Sequence, residues 1–97
     1  MKVTVKFIGP LKSLTGVEKV VVNLNSKKDQ TISSLIQALT EIYGGKIIDR
    51  ILNSKNGELR PNILILKNDV EIRVLDGLKT EVKDEDVITF IPVSHGG

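Results

Sequence analysis

The first residues of the chain alternate between polar and apolar side chains. Over residues 2–7 the apolar positions Val3, Val5 and Phe7 fall on one side of an extended strand, as in a half-buried sheet. The pair Gly9-Pro10 should end this strand, because proline cannot donate a backbone hydrogen bond. Residues 11–15 read as a connector. A second alternating segment at 17–24 then completes a predicted β-hairpin.

Apolar residues next recur three and four positions apart, which predicts an amphipathic helix. Thr31 is suited to cap its start, because a threonine hydroxyl accepts from an amide of the first turn. Gly44-Gly45 should end it, since glycine tolerates left-handed backbone conformations. The side chains expected on the buried face are Ile32, Leu35, Ile36, Leu39, Ile42 and Tyr43.

The rest of the chain predicts three further strands. Residues 46–52 fit either a short helix or an irregular apolar segment. Residues 62–67 are apolar on both faces, as expected of an inner strand. Asn68-Asp69 can form a tight turn into an alternating strand at 70–74. The acidic run 84–86 precedes a last strand at 87–93.

The order of these elements, ββαβββ, predicts an α+β fold in which one main helix covers one face of a mixed five-stranded sheet. Placing the first and last strands side by side and parallel at the centre gives a β-grasp. That topology is obtained by fitting and does not follow from periodicity alone. We expect one domain at residues 1–93 and a flexible C-terminal Gly-Gly tail at 94–97.

The composition of the chain excludes several kinds of functional site. The chain has 97 residues, a formal charge of +2, no cysteine and one histidine. These counts exclude disulfides, thiolate metal sites and multi-histidine metal sites, and they disfavour self-contained enzyme chemistry. The longest apolar runs are far too short to span a bilayer, and the first residues do not form a signal peptide. We therefore expect a cytoplasmic protein with no membrane partner.

The tail is the most informative chemical feature. Ser94-His95-Gly96-Gly97 carries no bulky side chain after the histidine, so we expect it to stay mobile and to enter narrow channels. Four extended residues reach at most about 13–14 Å. The carboxylate of Gly97 is ionised at neutral pH and resists nucleophiles, so it needs activation, for example as an adenylate. The plain alternative is an inert end, since Gly44-Gly45 is expected only to cap a helix.

Residues 78–97 resemble the C-terminal signature of the MoaD/ThiS-type ubiquitin-like sulfur carriers, in which an acidic turn and an apolar strand precede Gly-Gly. The resemblance extends over the whole chain and implies the ubiquitin-like β-grasp fold. The segment 60–66 and the ending His95-Gly96-Gly97 lean toward the ubiquitin-related modifier branch, which includes the archaeal small modifiers. The segment 90–93 is similar instead to the molybdopterin synthase small subunit.

The resemblance implies a carrier that is not itself an enzyme. An E1-like enzyme, using ATP, would adenylate Gly97, and a sulfur donor would convert the adenylate to a thiocarboxylate. Ser94, His95 and Gly96 would be the tail residues that the enzyme recognises. The acceptor would be a tRNA thiolase or the large subunit of molybdopterin synthase. No bound cofactor or metal is implied. Some relatives are also joined to target lysines, as ubiquitin is, which adds target proteins and the proteasome as partners.

Three other functions stay open. The chain could serve molybdopterin synthesis only, or act chiefly as a protein modifier through isopeptide bonds. It could also be an interaction or RNA-binding domain with an inert tail, using the outward lysines Lys2, Lys6 and Lys19. A small enzyme is disfavoured, because a lone histidine on a mobile tail lacks the fixed geometry that acid–base catalysis requires. That histidine, His95, could contact the activating enzyme or simply be solvated.

Two further groups of residues have a functional and a structural interpretation. Phe90 and Ile91, together with Val21, could form an apolar docking patch on the uncovered sheet face, or they could be ordinary core. The acidic residues at 84–86 could resemble a metal-binding run. A solvated turn is the favoured interpretation, because no other ligand types accompany them.

Overall fold

The computed structural model describes residues 1–93, and within them the chain alternates short strands with three α-helices. Two short 3-10 helices, at Ile72–Val74 and Gly77–Lys79, occupy the segment between β5 and β6. The elements in chain order are β1 (Lys2–Phe7), α1 (Pro10–Thr15), β2 (Lys19–Asn23), β3 (Gln30–Thr31), α2 (Ile32–Tyr43), α3 (Gly45–Ile51), β4 (Ile63–Lys67), β5 (Val70–Glu71), β6 (Glu81–Val82) and β7 (Val87–Pro92).

The main sheet has five strands in the order β2-β1-β7-β4-β5. β1 and β7 are parallel, with Val5 opposite Ile88 and Phe7 opposite Phe90, whereas the other neighbours are antiparallel. The first and last strands are therefore the central pair, which confirms the predicted ubiquitin-like β-grasp. β3 and β6 form a separate two-stranded sheet that was not predicted.

α2 begins as the sequence predicts, with a capping box at Thr31. The Thr31 hydroxyl accepts from the Ser34 amide, and the Ser34 hydroxyl accepts from the Thr31 amide, both at 3.2 Å. The helix ends at Gly44, where φ is 90°. Its buried side chains are Ile32, Leu35, Ile36 and Leu39.

The prediction that Ile42 is buried was wrong, because its side chain is 54% exposed. Tyr43, the other apolar residue of the last helical turn, reaches the ring of Phe7 at a centroid distance of 5.8 Å. The apolar periodicity thus continues through the last turn of α2, although only Tyr43 of its two apolar side chains packs against the core. Periodicity alone does not show where the core beneath a helix ends.

Two connecting segments are helical. Residues 10–15 form α1 rather than an irregular connector, because Pro10 fits the first position of a helix and Gly16 ends it at a φ of 79°. The segment that the sequence left open at 46–52 is helical over Gly45–Ile51, with Ile47 and Ile51 buried.

The predicted strand at 70–74 is only partly correct. Only Val70–Glu71 pairs with β4, and the chain then turns into the 3-10 helix. The Glu71 carboxylate accepts from the backbone amide of Arg73, which holds this turn. As a result Ile72 is buried while Val74 is 76% exposed, although the two have the same strand parity.

The core lies between the main sheet and α2 with α3. The central strands contribute Val3, Val5, Phe7, Ile63, Ile65, Ile88 and Phe90, all 2% exposed or less. Phe7 and Phe90 stack at a centroid distance of 5.9 Å, which links the two parallel strands. In the described part of the chain, no helix has the length and hydrophobicity needed to cross a membrane.

Candidate functional site

The candidate site is the carboxyl end of β7, because this strand leads to the predicted tail. Ser94, His95, Gly96 and Gly97 lie outside the described residues, as does the predicted flexible tail that they form. What the structure describes is the base from which that segment continues. β7 runs between β1 and β4 as far as Pro92, and Val93 follows it.

Backbone hydrogen bonds hold the base of the tail on the β4 side. The Val93 amide donates to the carbonyl of Asn62 at 2.8 Å, one residue before β4 begins. On the other side, the last bond from the β1 direction is donated by Ile8 to Phe90 at 3.1 Å. The backbone N–H and C=O groups of the even-numbered residues of β7 point toward β1. An amide hydrogen at position 92 would therefore point past the end of β1. Pro92 therefore loses no ladder hydrogen bond.

Two arginines fix the segment that carries Asn62. Arg73 donates from Nη2 to the carbonyl of Arg60 at 2.8 Å and from Nη1 to the carbonyl of Ile63 at 3.0 Å. Its Nη1 also lies 2.7 Å from Oε1 of Glu71. Arg60 in turn donates from Nε to the carbonyl of Asp49 in α3 at 2.8 Å. The base of the tail is thus connected to α3 and to the turn after β5.

A groove of about 430 Å³ opens beside this base. Pro92 and Val93 form part of its wall, so the groove is continuous with the start of the tail. α3 contributes the single charged side chain of the lining, Arg50, and the other lining residues are apolar except for one asparagine. They are Pro10, Leu11, Asn62 and Ile63.

Only one of the two β7 residues predicted to form a docking patch lies on the outer sheet face, which is the face opposite the helices. Phe90 is 0% exposed and stacked on Phe7 in the core, so it is not part of a docking surface. Ile91 has the opposite strand parity, is half-buried, and lies beside Leu64 of β4 in the register. Val21 on the same face is 53% exposed, which agrees with its predicted outward position.

The outward lysines of the first hairpin lie on this face as well. Lys6 and Lys19 are directly opposite each other in the register of β1 and β2, and both are exposed. Like charges in this position repel each other, so an anionic group placed between them would be favoured. Whether they contact RNA stays a prediction.

The acidic run is not the wholly solvated turn that the sequence favours. Asp86 is 7% exposed, and its carboxylate accepts from the Lys83 amide at 2.7 Å and from the Asn68 side chain at 2.8 Å. Asp84 accepts from the Lys2 amide at 2.6 Å. Glu85 adopts a φ of 69°. Within residues 1–93 no cluster of three or more His, Cys, Asp or Glu residues could hold a metal ion.

Sequence reasoning missed the groove and the residues around it. Arg50, Asn62 and Arg73 come from three separate segments, and no motif joins them. A helical interpretation of 46–52 was the only available signal, since it would have placed Arg50 on the surface of a helix. Their arrangement depends on the tertiary structure.

Comparison with known proteins gives a consistent result. Residues 2–97 match the family model described as Urm1 (Ubiquitin related modifier). The chain is 33% identical over 99 residues to "Ubiquitin-related modifier 1 homolog 2" of Arabidopsis thaliana, with 100% of both chains covered. It is 34% identical over 98 residues to "Sulfur carrier protein CysO" of Mycobacterium tuberculosis, again with 100% of both covered.

Among solved structures, the fold is similar to the solution structure of the small archaeal modifier protein 1 from Methanosarcina acetivorans. The TM-score is 0.82 at 27% identity, and the alignment covers 99% of this chain and 96% of that one. The similarity spans whole chains on both sides, so the entire β-grasp domain is shared.

Proposed function

This chain belongs to the ubiquitin-related modifier family of ubiquitin-like sulfur carriers and protein modifiers, and on that premise we propose that Gly97 is its reacting residue. An E1-like enzyme adenylates the carboxylate of Gly97 with ATP, and a sulfur donor converts the adenylate to a thiocarboxylate. The chain then delivers this sulfur to an acceptor, in tRNA thiolation or molybdopterin synthesis. We place this first step in the cytoplasm, where ATP is available.

The observation that supports this proposal is the way in which the fold leads to the tail. The strand before the tail is central in the sheet, paired on both sides, and the Val93 amide is held by Asn62 at 2.8 Å. The rigid part of the chain therefore continues to within four residues of Gly97. An enzyme can grip the folded domain while the reacting carboxylate lies at most about 13–14 Å away.

The chemistry needs an external activator, because an ionised carboxylate is a poor electrophile. A Gly97 oxygen attacks the α-phosphate of ATP, pyrophosphate leaves, and the carbonyl becomes part of a mixed anhydride. A persulfide sulfur of the donor then attacks this carbonyl and displaces AMP. A thiol reductant cleaves the resulting acyl disulfide and leaves the thiocarboxylate. The carrier supplies the acyl group and its presentation, and its partners supply ATP, sulfur and electrons.

The outer sheet face is the proposed docking surface for the activating enzyme. Ile91 and Leu64 form its apolar centre near the carboxyl end of β7. Val21 is an exposed apolar residue elsewhere on the same face, where it lies beside Thr4 of β1. Exposed Lys6 and Lys19 add positive charge to the same face. Phe90, which the sequence grouped with Ile91, instead supports the face from within the core. The activating enzyme would recognise Ser94, His95 and Gly96 in the channel that leads to its nucleotide site.

Reconstitution with the cognate activating enzyme, ATP and a persulfide donor tests the proposal. The intact mass of the chain should rise by the difference between one sulfur and one oxygen. A chain lacking Gly96 and Gly97 should show no change while keeping the same unfolding transition. An unchanged mass of the full chain with an enzyme that activates another carrier would contradict the proposal.

The same preparation distinguishes the other functions. Conjugates on a denaturing gel that resist reducing agent and require Gly97 would indicate a protein modifier. Binding of RNA that survives loss of both glycines, and that weakens steeply with salt, would indicate an RNA-binding domain with an inert tail. Capture of a tRNA thiolase or of a molybdopterin synthase large subunit on the free-tailed protein would identify the acceptor.

A further inference from the structure

The groove at the base of the tail is a second candidate contact surface, distinct from the outer sheet face. It lies between α1, α3 and the end of β7, and has a volume of about 430 Å³. Most of its wall is apolar, formed by Pro10, Leu11, Ile63, Pro92 and Val93. An apolar groove with one charged residue in its lining can hold the side chains of a segment from another chain.

The wall of the groove is preformed. The Asn62 carbonyl holds the Val93 amide at 2.8 Å, and Arg73 holds the carbonyls on either side of Asn62 through its guanidinium. Pro10 and Pro92 add two residues whose backbone φ is restricted by their rings. Binding of a segment here therefore costs little conformational entropy of the carrier.

Arg50 is the one charge in the groove lining. It lies in the last turn of α3 and is exposed. Among residues 1–93 no group forms a hydrogen bond or an ion pair with its guanidinium, in contrast to those of Arg60 and Arg73. An unpartnered guanidinium beside an apolar groove favours a ligand that combines apolar side chains with a carboxylate.

We propose that this groove binds an extended segment of the activating enzyme that carries a carboxylate side chain to Arg50. The inference rests on the proposed function. It identifies the groove as a second point of contact for the enzyme that receives the tail, and it assigns the specificity of that contact to one ion pair.

The length of the chain beyond the groove argues for this occupant. Pro92 and Val93 line the groove, and Gly97 lies at most about 13–14 Å further along the chain. An enzyme whose nucleotide site reaches Gly97 must therefore have its surface within about 13–14 Å of Val93. The groove begins at Val93, so it lies in the region that the enzyme surface approaches. A partner without access to the tail has no such reason to lie there.

A charge reversal within α3 tests the proposal. Arg50→Glu places a negative charge in the groove, and Lys46→Glu makes the same change in net charge on an exposed residue of the same helix that does not line it. Both full-length variants are assayed for ATP–pyrophosphate exchange with the activating enzyme, after urea unfolding confirms that each is folded. Arg50→Lys is the conservative variant.

We expect Arg50→Glu to raise the KM for the carrier about tenfold or more, with kcat nearly unchanged, because a contact at the edge of the complex affects binding rather than the reacting atoms. Lys46→Glu should change KM by less than about twofold, and Arg50→Lys should lie between the two, since lysine keeps the charge but loses the planar fork.

Equal KM values for the two charge reversals would overturn the inference while leaving the proposed function intact, provided that the wild-type chain is activated. A lower KM for Arg50→Glu, together with faster trimming of its tail by carboxypeptidase, would show that the groove binds the tail of the chain itself and would also overturn the inference. Failure of the wild-type chain to be activated would contradict the proposed function instead.

Discussion

Asn68 makes the sharpest stability prediction, because its side chain closes the turn beside the start of β7. Its backbone φ is 47°, in the left-handed region of the β4–β5 turn. The side-chain amide donates to Asp86 Oδ1 at 2.8 Å, and its oxygen accepts from the Val87 amide at 2.8 Å. Asn68→Gly keeps the turn conformation accessible and removes both hydrogen bonds, so it isolates their contribution.

The expected loss follows from the two bonds. A neutral hydrogen bond such as that to Val87 contributes about 0.5–1.5 kcal/mol, and one to a charged group such as Asp86 about 1.5–3 kcal/mol. The bond to Val87 is solvent-exposed, which favours the lower part of the range. The turn needs no net backbone correction, because relief of strain at the positive φ and the added chain entropy of glycine offset each other. The free energy of unfolding should fall by about 2–3 kcal/mol.

Urea unfolding followed by far-UV circular dichroism measures this loss. Asp69 supplies the matched control, because it is the next residue of the same turn, has a φ of 72°, and is exposed. Its side chain makes no hydrogen bond or ion pair within residues 1–93. Asp69→Gly should therefore leave the free energy of unfolding within about 0.5 kcal/mol of wild type, since relief of strain and added chain entropy offset each other.

Two results would refute this reasoning. One is an Asn68→Gly protein whose free energy of unfolding lies within about 0.5 kcal/mol of wild type, which would mean that water replaces both bonds without cost. The other is an equal loss for Asp69→Gly, which would assign the effect to the backbone of the turn. A changed urea m-value would indicate a shift in the unfolded state rather than in the two bonds.

Three other changes probe the core, the outer face and the base of the tail. Leu39→Ala should lower the free energy of unfolding by about 2–5 kcal/mol in the same urea assay, because it opens a cavity in a fully buried site. Ile91→Glu should raise the KM for ATP–pyrophosphate exchange about tenfold. Ile42→Glu, at an exposed position on α2, should leave this KM unchanged. Equal effects of the two variants would show that the outer sheet face is not the docking surface. Arg73→Ala should speed amide hydrogen exchange at Val93 while core amides keep their protection, and unchanged exchange would mean that the arginine does not hold the base of the tail.

Local patterns predicted the parts of the fold that depend on neighbouring residues. The alternation at 2–7 and the cap at Thr31 each involve a few adjacent side chains, and both agree with the structure. The same is true of the turn at Asn68-Asp69, where both residues have a positive φ. The parallel pairing of the first and last strands was reached by fitting the element order to a known topology.

Two errors concern which side chains of a strand lie on the same face. Ile72 and Val74 share one strand parity, but the turn that Arg73 and Glu71 stabilise takes the chain out of the sheet. Phe90 and Ile91 were grouped because both are apolar, whereas their opposite parity sends them to opposite faces of β7.

The groove could not be predicted, because it is assembled from segments far apart in the chain. α1, α3, the residues before β4 and the end of β7 each contribute to its wall. The position of Arg50 in the same groove as Val93 depends on how α3 packs, which no spacing in the sequence encodes. The tail, by contrast, lies outside the described residues and stays a prediction from its sequence and from the resemblance.

The most direct test of the central claim is a fragmentation mass spectrum of the C-terminal peptide after reaction with the activating enzyme, ATP and the persulfide donor. The account predicts that sulfur replaces one oxygen on Gly97 itself, and that an alkylating reagent then adds to that sulfur. Sulfur located on any other residue, or a C-terminal peptide that stays unmodified while the enzyme activates a different carrier, would contradict it.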